Sequence, residues 1–322
     1  MTDRIPVALI GGRGYTGSAL LPLIAAHSVL DLVVATSSSE AGQALTQIDP
    51  NWPKPEQTLV DLGPDGVGDV EAKVWVLALP NGASGPWVDA IAKHHAEALI
   101  VDLGADYRFE TDPTWVYGLT EWQRPELRGA TRIANPGCYA TAAQMALRPL
   151  SDGLNQAPVI FGVSGYSGAG KTPSPRNDPK RLAENIIPYQ LTGHVHEKEI
   201  SFHLGQSVCF HPHVAPFFRG LSLTIHITSQ HAMSPQAITD CWRSAYDAEP
   251  LVEISTDIPE IRDVVETAGV KIGGVSVDGR DPHRASFVVV LDNLMKGAAS
   301  QAIQNINVAL GLDDLDGLGV VR

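Results

Sequence analysis

Apolar residues along the first hundred positions come in short runs separated by stretches of helical spacing. Ile5 to Ile10 is one run, ended by a glycine turn; Ser18 to Ala26 then carries apolar residues at helical intervals, and Val29 to Thr36 is the next run. Val74 to Leu79 and Leu99 to Leu103 repeat the pattern across a predicted helix from Gly85 to His95. Strand, helix and strand in alternation predict an α/β arrangement with a parallel sheet.

The pattern changes after about residue 137. A helix from Cys138 to Leu150 leads to a strand at Pro158 to Val163, a Gly/Pro-rich stretch from Gly165 to Pro179 and a helix around Glu197 to Gly205. Strands follow at Leu221 to Thr228, Val270 to Val277 and Ser286 to Leu291, and they outnumber the helices between them. That predicts an α+β second domain with a mostly antiparallel sheet. Gly297 to Leu310 again has helical spacing, and a terminal helix there is expected to pack back onto the first domain.

A length of 322 residues suits two domains, and no apolar run approaches the roughly 20 residues that span a bilayer. Lys+Arg 23 against Asp+Glu 36 leaves a net charge of -13, so no basic field exists to hold nucleic acid. An anionic ligand must then be held by local devices such as helix N-termini, glycine-rich backbone or a few placed cations. Three cysteines without a CxxC, and an N-terminal stretch that meets a glycine turn too early for a signal-peptide core, lead us to expect a reducing cytoplasm.

Gly11-Gly12-Arg13-Gly14-Tyr15-Thr16-Gly17 lies where a strand gives way to a helix, the context in which glycines let backbone approach a pyrophosphate. A dinucleotide is therefore expected on Gly11, Arg13, Gly14, Tyr15, Thr16 and Gly17. An NAD enzyme offers a carboxylate at the end of the second strand, whereas Thr36-Ser37-Ser38-Ser39 stands here before Glu40. Small hydroxyls at Ser37 and Ser38 favour the 2′-phosphate of NADP.

Asn135-Pro136-Gly137-Cys138-Tyr139 puts a cysteine at a helix start, where unpaired N–H groups and the macrodipole lower a thiol's pKa. Cys209 and Cys241 lack that context and read as buried, inert residues. Gly165 to Thr172 matches GxxxxGK[ST], but Pro173, Pro175 and Pro179 would break the helix a P-loop needs, so the stretch reads as a loop that meets anions through Lys171. The histidines at 194, 196, 203, 211 and 213 lack HExxH or cysteine spacing, so no metal is expected. His194 and His196 open a predicted helix, and either could be the base or thiolate partner of Cys138. Residues two apart in a helix point about 200° apart, so only one is expected to face it, with His194 favoured. His211 and His213 flank Pro212 ahead of a strand and read as structural.

Taken in order, these landmarks resemble the N-acetyl-γ-glutamyl-phosphate reductases, relatives of the aspartate-semialdehyde dehydrogenases. Others include Leu77-Ala78-Leu79-Pro80, Asp102 to Arg108, Tyr117-Gly118-Leu119, His194 to Ile200, Pro212-His213-Val214 with Arg219-Gly220, and Asp292 to Ala299. The resemblance implies a Rossmann-like domain of residues 1–137 and 297–322, with a catalytic and oligomerisation domain of 138–296 between them. It further implies NADPH-dependent reduction of an acyl phosphate to an aldehyde in arginine biosynthesis, through a cysteine thioester on Cys138. Pro80 and Asn293 would meet the cofactor, Asn293 at the nicotinamide amide. Arg108, Lys171, Arg219 and Asn135 would meet the substrate, and a homo-oligomer, dimer or tetramer, is expected. A sister reductase of carrier-linked aminoadipyl phosphate in lysine biosynthesis, and a non-catalytic NADP-binding regulator, are the alternatives.

Overall fold

The computed structural model describes residues 4–109 and 112–319. Along the chain run β1 (Ile5–Ile10), α1 (Tyr15–Ala26), β2 (Leu30–Ala35), β3 (Val74–Leu77), α2 (Gly85–His94), β4 (Leu99–Asp102), β5 (Val116–Tyr117), α3 (Thr120–Leu127) and β6 (Arg132–Ala134). After them come α4 (Cys138–Leu147), β7 (Val159–Gly165), α5 (Pro179–Leu182), β8 (Ile187–Pro188), α6 (Val195–Leu204) and β9 (Cys209–Ala215). The chain continues with β10 (Leu221–Thr228), α7 (Pro235–Tyr246), β11 (Val252–Ile254), β12 (Val270–Asp278), β13 (Asp281–Leu291) and α8 (Ser300–Leu310). Two compact units result: unit 1 is Met1–Pro136 with Ala298–Arg322, and unit 2 is Gly137–Gly297.

The sheet of unit 1 has the order β2-β1-β3-β4-β6-β5 and is parallel at every pairing. Val74, Trp75, Val76 and Leu77 are all fully buried, as are Val7, Ala8 and Leu9. Burial on both faces explains why these strands read as continuous apolar runs and not as alternations. Helix α8 packs on α1, α3 and β4 within this unit, as the sequence predicts. It buries amides as well as apolar residues such as Ile303 and Ile306: Gln301 Nε2 donates to the Gly118 carbonyl (3.0 Å), and Asn305 Nδ2 donates to the same oxygen (2.8 Å) and to Asn135 Oδ1 (3.0 Å).

The sheet of unit 2 runs β11-β12-β13-β10-β7-β9-β8. Pairings are antiparallel except at β7 with β9 and at β11 with β12. Helix α4 is buried from Tyr139 through Leu147 and packs on β10, β13 and α6. Two expectations are corrected here, and one helix is added. Pro212, with His211 and His213 beside it, lies inside β9, although a proline in such a run argues against a strand; its carbonyl still accepts from the Tyr189 N–H (3.2 Å). Helix α7 went unrecognised in the pattern, although Ser234 caps it with a side chain that accepts from the Ala237 N–H and Pro235 sits in its first turn. Cys209 and Cys241 are exposed, because each occupies the solvent side of its element while Phe210 and Trp242 beside them take the core positions.

Candidate active site

In unit 1 the glycine turn is built by backbone. Gly11 adopts φ +90°, and a Cβ there would meet the Ala78 carbonyl oxygen at 2.4 Å. A Cβ on Gly17 would meet the Gly11 carbonyl oxygen at 2.3 Å, so those two glycines are demanded by the fold itself. Gly14 differs. A Cβ there would have only the Gly11 oxygen, at an ordinary 3.5 Å, for a neighbour, and the residue immediately precedes α1 with no side-chain cap on the helix. The open N-terminus beside it, with Tyr15 and Thr16 as its first residues, is the setting in which backbone N–H groups and the macrodipole favour a phosphate. The residues present thus fit a dinucleotide.

Around this turn, Thr36 anchors the chain: its Oγ1 accepts from the Gly11 N–H (3.0 Å) and its carbonyl from the Gly12 N–H (2.9 Å). Ser37 is buried and its Oγ accepts from the Glu40 N–H (3.1 Å), while Ser38 is exposed. Arg13 Nε donates to Glu40 Oε1 at 2.6 Å, so an ion pair joins the glycine turn to the segment after the two serines. Pro80 lies exposed after β3, in a loop tied to the loop after β4. Asp106 accepts from the N–H groups of Gly82 (2.9 Å) and Ser84 (3.4 Å), and Ser84 Oγ donates to Asp102 Oδ1 (2.6 Å). Burial raises the Asp102 carboxyl to about 6 despite its bonds from Ser84 and Gly104.

Arg108 and Asn135 also belong to unit 1, and both are buried. Arg108 spends Nε on the Asn135 carbonyl (2.9 Å) and Nη2 on the Leu103 carbonyl (2.8 Å), so it holds the segment that leads to Cys138. Asn135 Nδ2 donates to the Ala298 carbonyl (3.3 Å).

In unit 2, Cys138 is the first residue of α4 and is half-buried. The N–H of Gly137, one residue ahead, donates to Glu199 Oε1 at 2.8 Å, and Glu199 is fully buried on α6. Next to Cys138 stands a cluster of rings. Tyr139 packs edge-on against Phe210 (centroids 4.9 Å apart) and His196 (5.8 Å), and His194 against Tyr189 (5.4 Å), Phe210 (5.4 Å) and His196 (4.9 Å). Burial pushes both phenols above their ordinary range, and the charge of Cys138 adds to each shift. The sulfur therefore lies within electrostatic reach of Tyr139 and Tyr189.

The two histidines share this cluster, which corrects the expectation that they point apart. His194 is not in the helix: it is the N-cap of α6, with extended backbone at φ -61° and ψ 145°, and its ring folds back over the first turn. The His196 N–H donates to His194 Nδ1 (3.1 Å), so in the neutral ring the proton sits on Nε2. Burial and the nearby Arg176 lower His194 to about 4, so the ring is neutral at pH 7. Glu197 fixes the helix entrance, accepting from the N–H of Gly193 (2.9 Å) and of Phe210 (3.1 Å).

Three further expected residues lie in unit 2. Lys171 is half-buried in the loop after a short turn at Tyr166–Ala169, and no helix forms until Pro179–Leu182, so the P-loop geometry is absent as its prolines predict. The same loop brings Arg176, which the sequence reading passed over, to 4.9 Å from the Tyr189 ring centroid. Arg219 pairs with the fully buried Asp292 (2.7 Å) and with Glu266 (3.3 Å). Asn293, expected at a nicotinamide amide, commits both ends of its own amide inside unit 2. Its Oδ1 accepts from the Gly220 N–H (2.7 Å) and its Nδ2 donates to Ser167 Oγ (2.9 Å). Beyond Arg176, the sequence reading missed Glu199, Tyr139 and Tyr189 as parts of the site; the only local signal was the fixed spacing of Glu199 after the two histidines.

Among the described residues no group of His, Cys, Asp and Glu could hold a metal, and no helix is long and apolar enough to cross a membrane. Residues 6–130 match the family model of the semialdehyde dehydrogenase NAD binding domain, and residues 138–293 that of the semialdehyde dehydrogenase dimerisation domain. The chain is 46% identical over 313 residues to an N-acetyl-gamma-glutamyl-phosphate reductase of Xanthomonas campestris, an alignment covering 97% of this chain and 98% of that one. It is 44% identical over 317 residues to the mitochondrial protein arg11 of Schizosaccharomyces pombe, where 97% of this chain covers 35% of that protein. Its backbone resembles aspartate semialdehyde dehydrogenase II of Vibrio cholerae with a TM-score of 0.75 at 18% identity, covering 95% of this chain and 98% of the other.

Proposed function

Because this chain belongs to the N-acetyl-γ-glutamyl-phosphate reductase family and is an oxidoreductase of the semialdehyde dehydrogenase type with a nicotinamide cofactor, we propose that Cys138 is its nucleophile and NADPH its reductant. The observation that carries this reading is the placement of Cys138 as the first residue of α4, with the Gly137 N–H held by Glu199 and a neutral His194 in the adjoining ring cluster.

The Cys138 thiolate, favoured by the helix N-terminus, attacks the acyl carbon of N-acetylglutamyl 5-phosphate. A C–S bond forms, the C–O bond to phosphorus breaks, and phosphate leaves with the bonding pair. NADPH, which the glycine turn at Gly11 to Gly17 would hold, would supply the hydride that reduces the resulting thioester. His194 Nε2–H hydrogen-bonds to the oxygen that gains charge in that step, and as that oxygen re-forms its carbonyl the C–S bond breaks, releasing the semialdehyde and the thiolate. His196, on the first turn of α6, grips the substrate. Arg176 and Lys171 supply cations from one loop to the substrate's phosphate or carboxylate. Arg108 and Asn135 shape the segment ahead of Cys138. On the cofactor side, Ser37, Ser38 and Arg13 favour a 2′-phosphate over a bare ribose, since no carboxylate stands directly at the strand end.

We further infer that the chain forms a homodimer through the outer face of the unit 2 sheet. Val159 and Phe161 are 41% and 44% exposed there, and β7, β9 and β10 carry no carboxylate in a chain of net charge -13, which removes the repulsion that two copies would meet elsewhere. Phe161→Glu should yield a monomer by light scattering; an unchanged oligomer would remove this assignment.

The activity is tested by coupling phosphate release to NADPH oxidation with N-acetylglutamyl phosphate. Cys138→Ser should abolish turnover while retaining NADPH binding. Iodoacetamide should label Cys138 with protection by substrate, although Cys209 and Cys241 are the more exposed thiols. Normal turnover by the serine variant would sink the covalent reading.

A further inference from the structure

Gly297 stands in a π-helical turn at Met295–Ala299, a form of helix that occurs mostly as single turns and often at functional sites. Its backbone does not need a glycine, for it is absent from the residues with positive φ. The reason for a glycine is steric. A Cβ on Gly297 would fall 2.5 Å from Cys138 Cβ, 3.1 Å from Cys138 Cα and 3.2 Å from Leu291 Cδ1. Real side chains do not approach so closely, so any other residue at 297 must displace Cys138 or the turn that faces it.

The turn is itself tightly specified. The Asp292 carbonyl accepts from the N–H groups of Met295 (3.1 Å) and Gly297 (3.0 Å). Its carboxylate accepts from the N–H groups of Leu294 (2.8 Å) and Glu266 (2.7 Å). A fully buried carboxylate needs a counter-charge, and Arg219 supplies it at 2.7 Å. Arg219, Asp292 and Gly297 thus form one chain of contacts ending on the nucleophile's own Cα and Cβ.

We propose that the Asp292–Gly297 turn is a backstop for Cys138, with Gly297 as a positioning residue and Arg219 acting through Asp292 to hold the turn. The proposal rests on Cys138 being the nucleophile, but the contact can be tested without turnover. Gly297→Ala should lower kcat by about 100-fold, the loss that an ångström of misplacement can cause. It should leave the KM for NADPH unchanged and slow the alkylation of Cys138 by iodoacetamide. Gly63→Ala, at a glycine whose Cβ would have no neighbour within 4 Å, should change none of these. The steric origin is read from melting temperatures: Gly297→Ala should lower the melting temperature sharply in the wild-type background and much less in Cys138→Gly, which removes the opposing Cβ. This pair also covers a Gly297→Ala protein too unstable to assay. Equal melting losses in both backgrounds, or alkylation and kcat at wild-type rates in Gly297→Ala, would overturn the backstop. Undiminished activity in Cys138→Ser with the melting coupling intact would instead overturn the nucleophile and leave the contact standing.

Discussion

The glycine turn of unit 1 and the ring cluster of unit 2 are made of opposite materials. In unit 1 the ligand-facing surface is backbone: Gly11 and Gly17 let strand β1, strand β3 and helix α1 touch, and Gly14 leaves the helix end bare. In unit 2 it is side chain: beside Cys138, the rings of Tyr139, Tyr189, His194, His196 and Phe210 come from four stretches of the chain and define one another's positions by packing. A backbone site can bind tightly while remaining chemically passive. A side-chain site can carry charge and move protons, at the cost of depending on every neighbour.

That contrast orders the expected effects. Cys138→Ser should cost on the order of 10³-fold or more in kcat, since a hydroxyl has no thiolate population to offer, with NADPH binding unchanged by fluorescence titration. His194→Asn should lower kcat by about 100-fold and flatten the acidic limb of the pH profile, while His196→Asn should mainly raise the substrate KM. The reverse pattern would exchange their roles, and two unaffected kcat values would assign the hydrogen bond to water. In unit 1 the glycines should separate. Gly17→Ala should destabilise the protein by about 1–3 kcal/mol by overpacking, whereas Gly14→Ala should leave the melting temperature alone and weaken NADPH binding by about tenfold, equivalent to 1.4 kcal/mol. Equal loss of stability from both would end the claim that Gly14 serves the ligand. Ser38→Asp should produce the smallest change, narrowing the preference for NADPH over NADH through repulsion of the 2′-phosphate.

The units should also respond to acid in opposite senses. His194 is lowered to about 4 from 6.5, so below pH 6.5 the unfolded chain binds a proton that the folded unit 2 refuses, and stability falls as pH drops toward 4. Asp102 is raised to about 6 from 3.8, so folded unit 1 keeps a proton that the unfolded chain loses, and stability falls as pH rises from 3.8 to 6. Denaturation of His194→Asn across pH 4 to 7 should lose the first slope, and that of Asp102→Asn the second. Profiles identical to wild type would contradict both assignments.

The same contrast explains what the sequence made legible. The parallel strands were readable because burial on both faces turns them into apolar runs, and the cofactor turn because its glycines are consecutive in the chain. Cys138 was marked by Pro136-Gly137 ahead of a helix. Arg176, Tyr189 and Glu199 were not, because nothing near them in sequence shows that Arg176 reaches the Tyr189 ring, that this ring joins His194, or that Glu199 reaches the Gly137 N–H. The relation of His194 to His196 is hidden for a related reason: the roughly 200° between residues two apart holds only inside a helix, and His194 is an N-cap outside α6. Arg219 and Asn293 carry suitable chemistry for a ligand, and the structure adds that Arg219 pairs with Asp292 while the Asn293 amide bonds to Gly220 and Ser167.

The central claim, that Cys138 captures the acyl group, is most directly tested by mass spectrometry of the protein mixed with N-acetylglutamyl phosphate in the absence of NADPH. The expected result is a single N-acetylglutamyl adduct on the peptide carrying Cys138, formed with release of one equivalent of phosphate, discharged on adding NADPH, and missing from Cys138→Ser. Phosphate release and aldehyde formation with no adduct, or with an adduct on Cys209 or Cys241 alone, would contradict it.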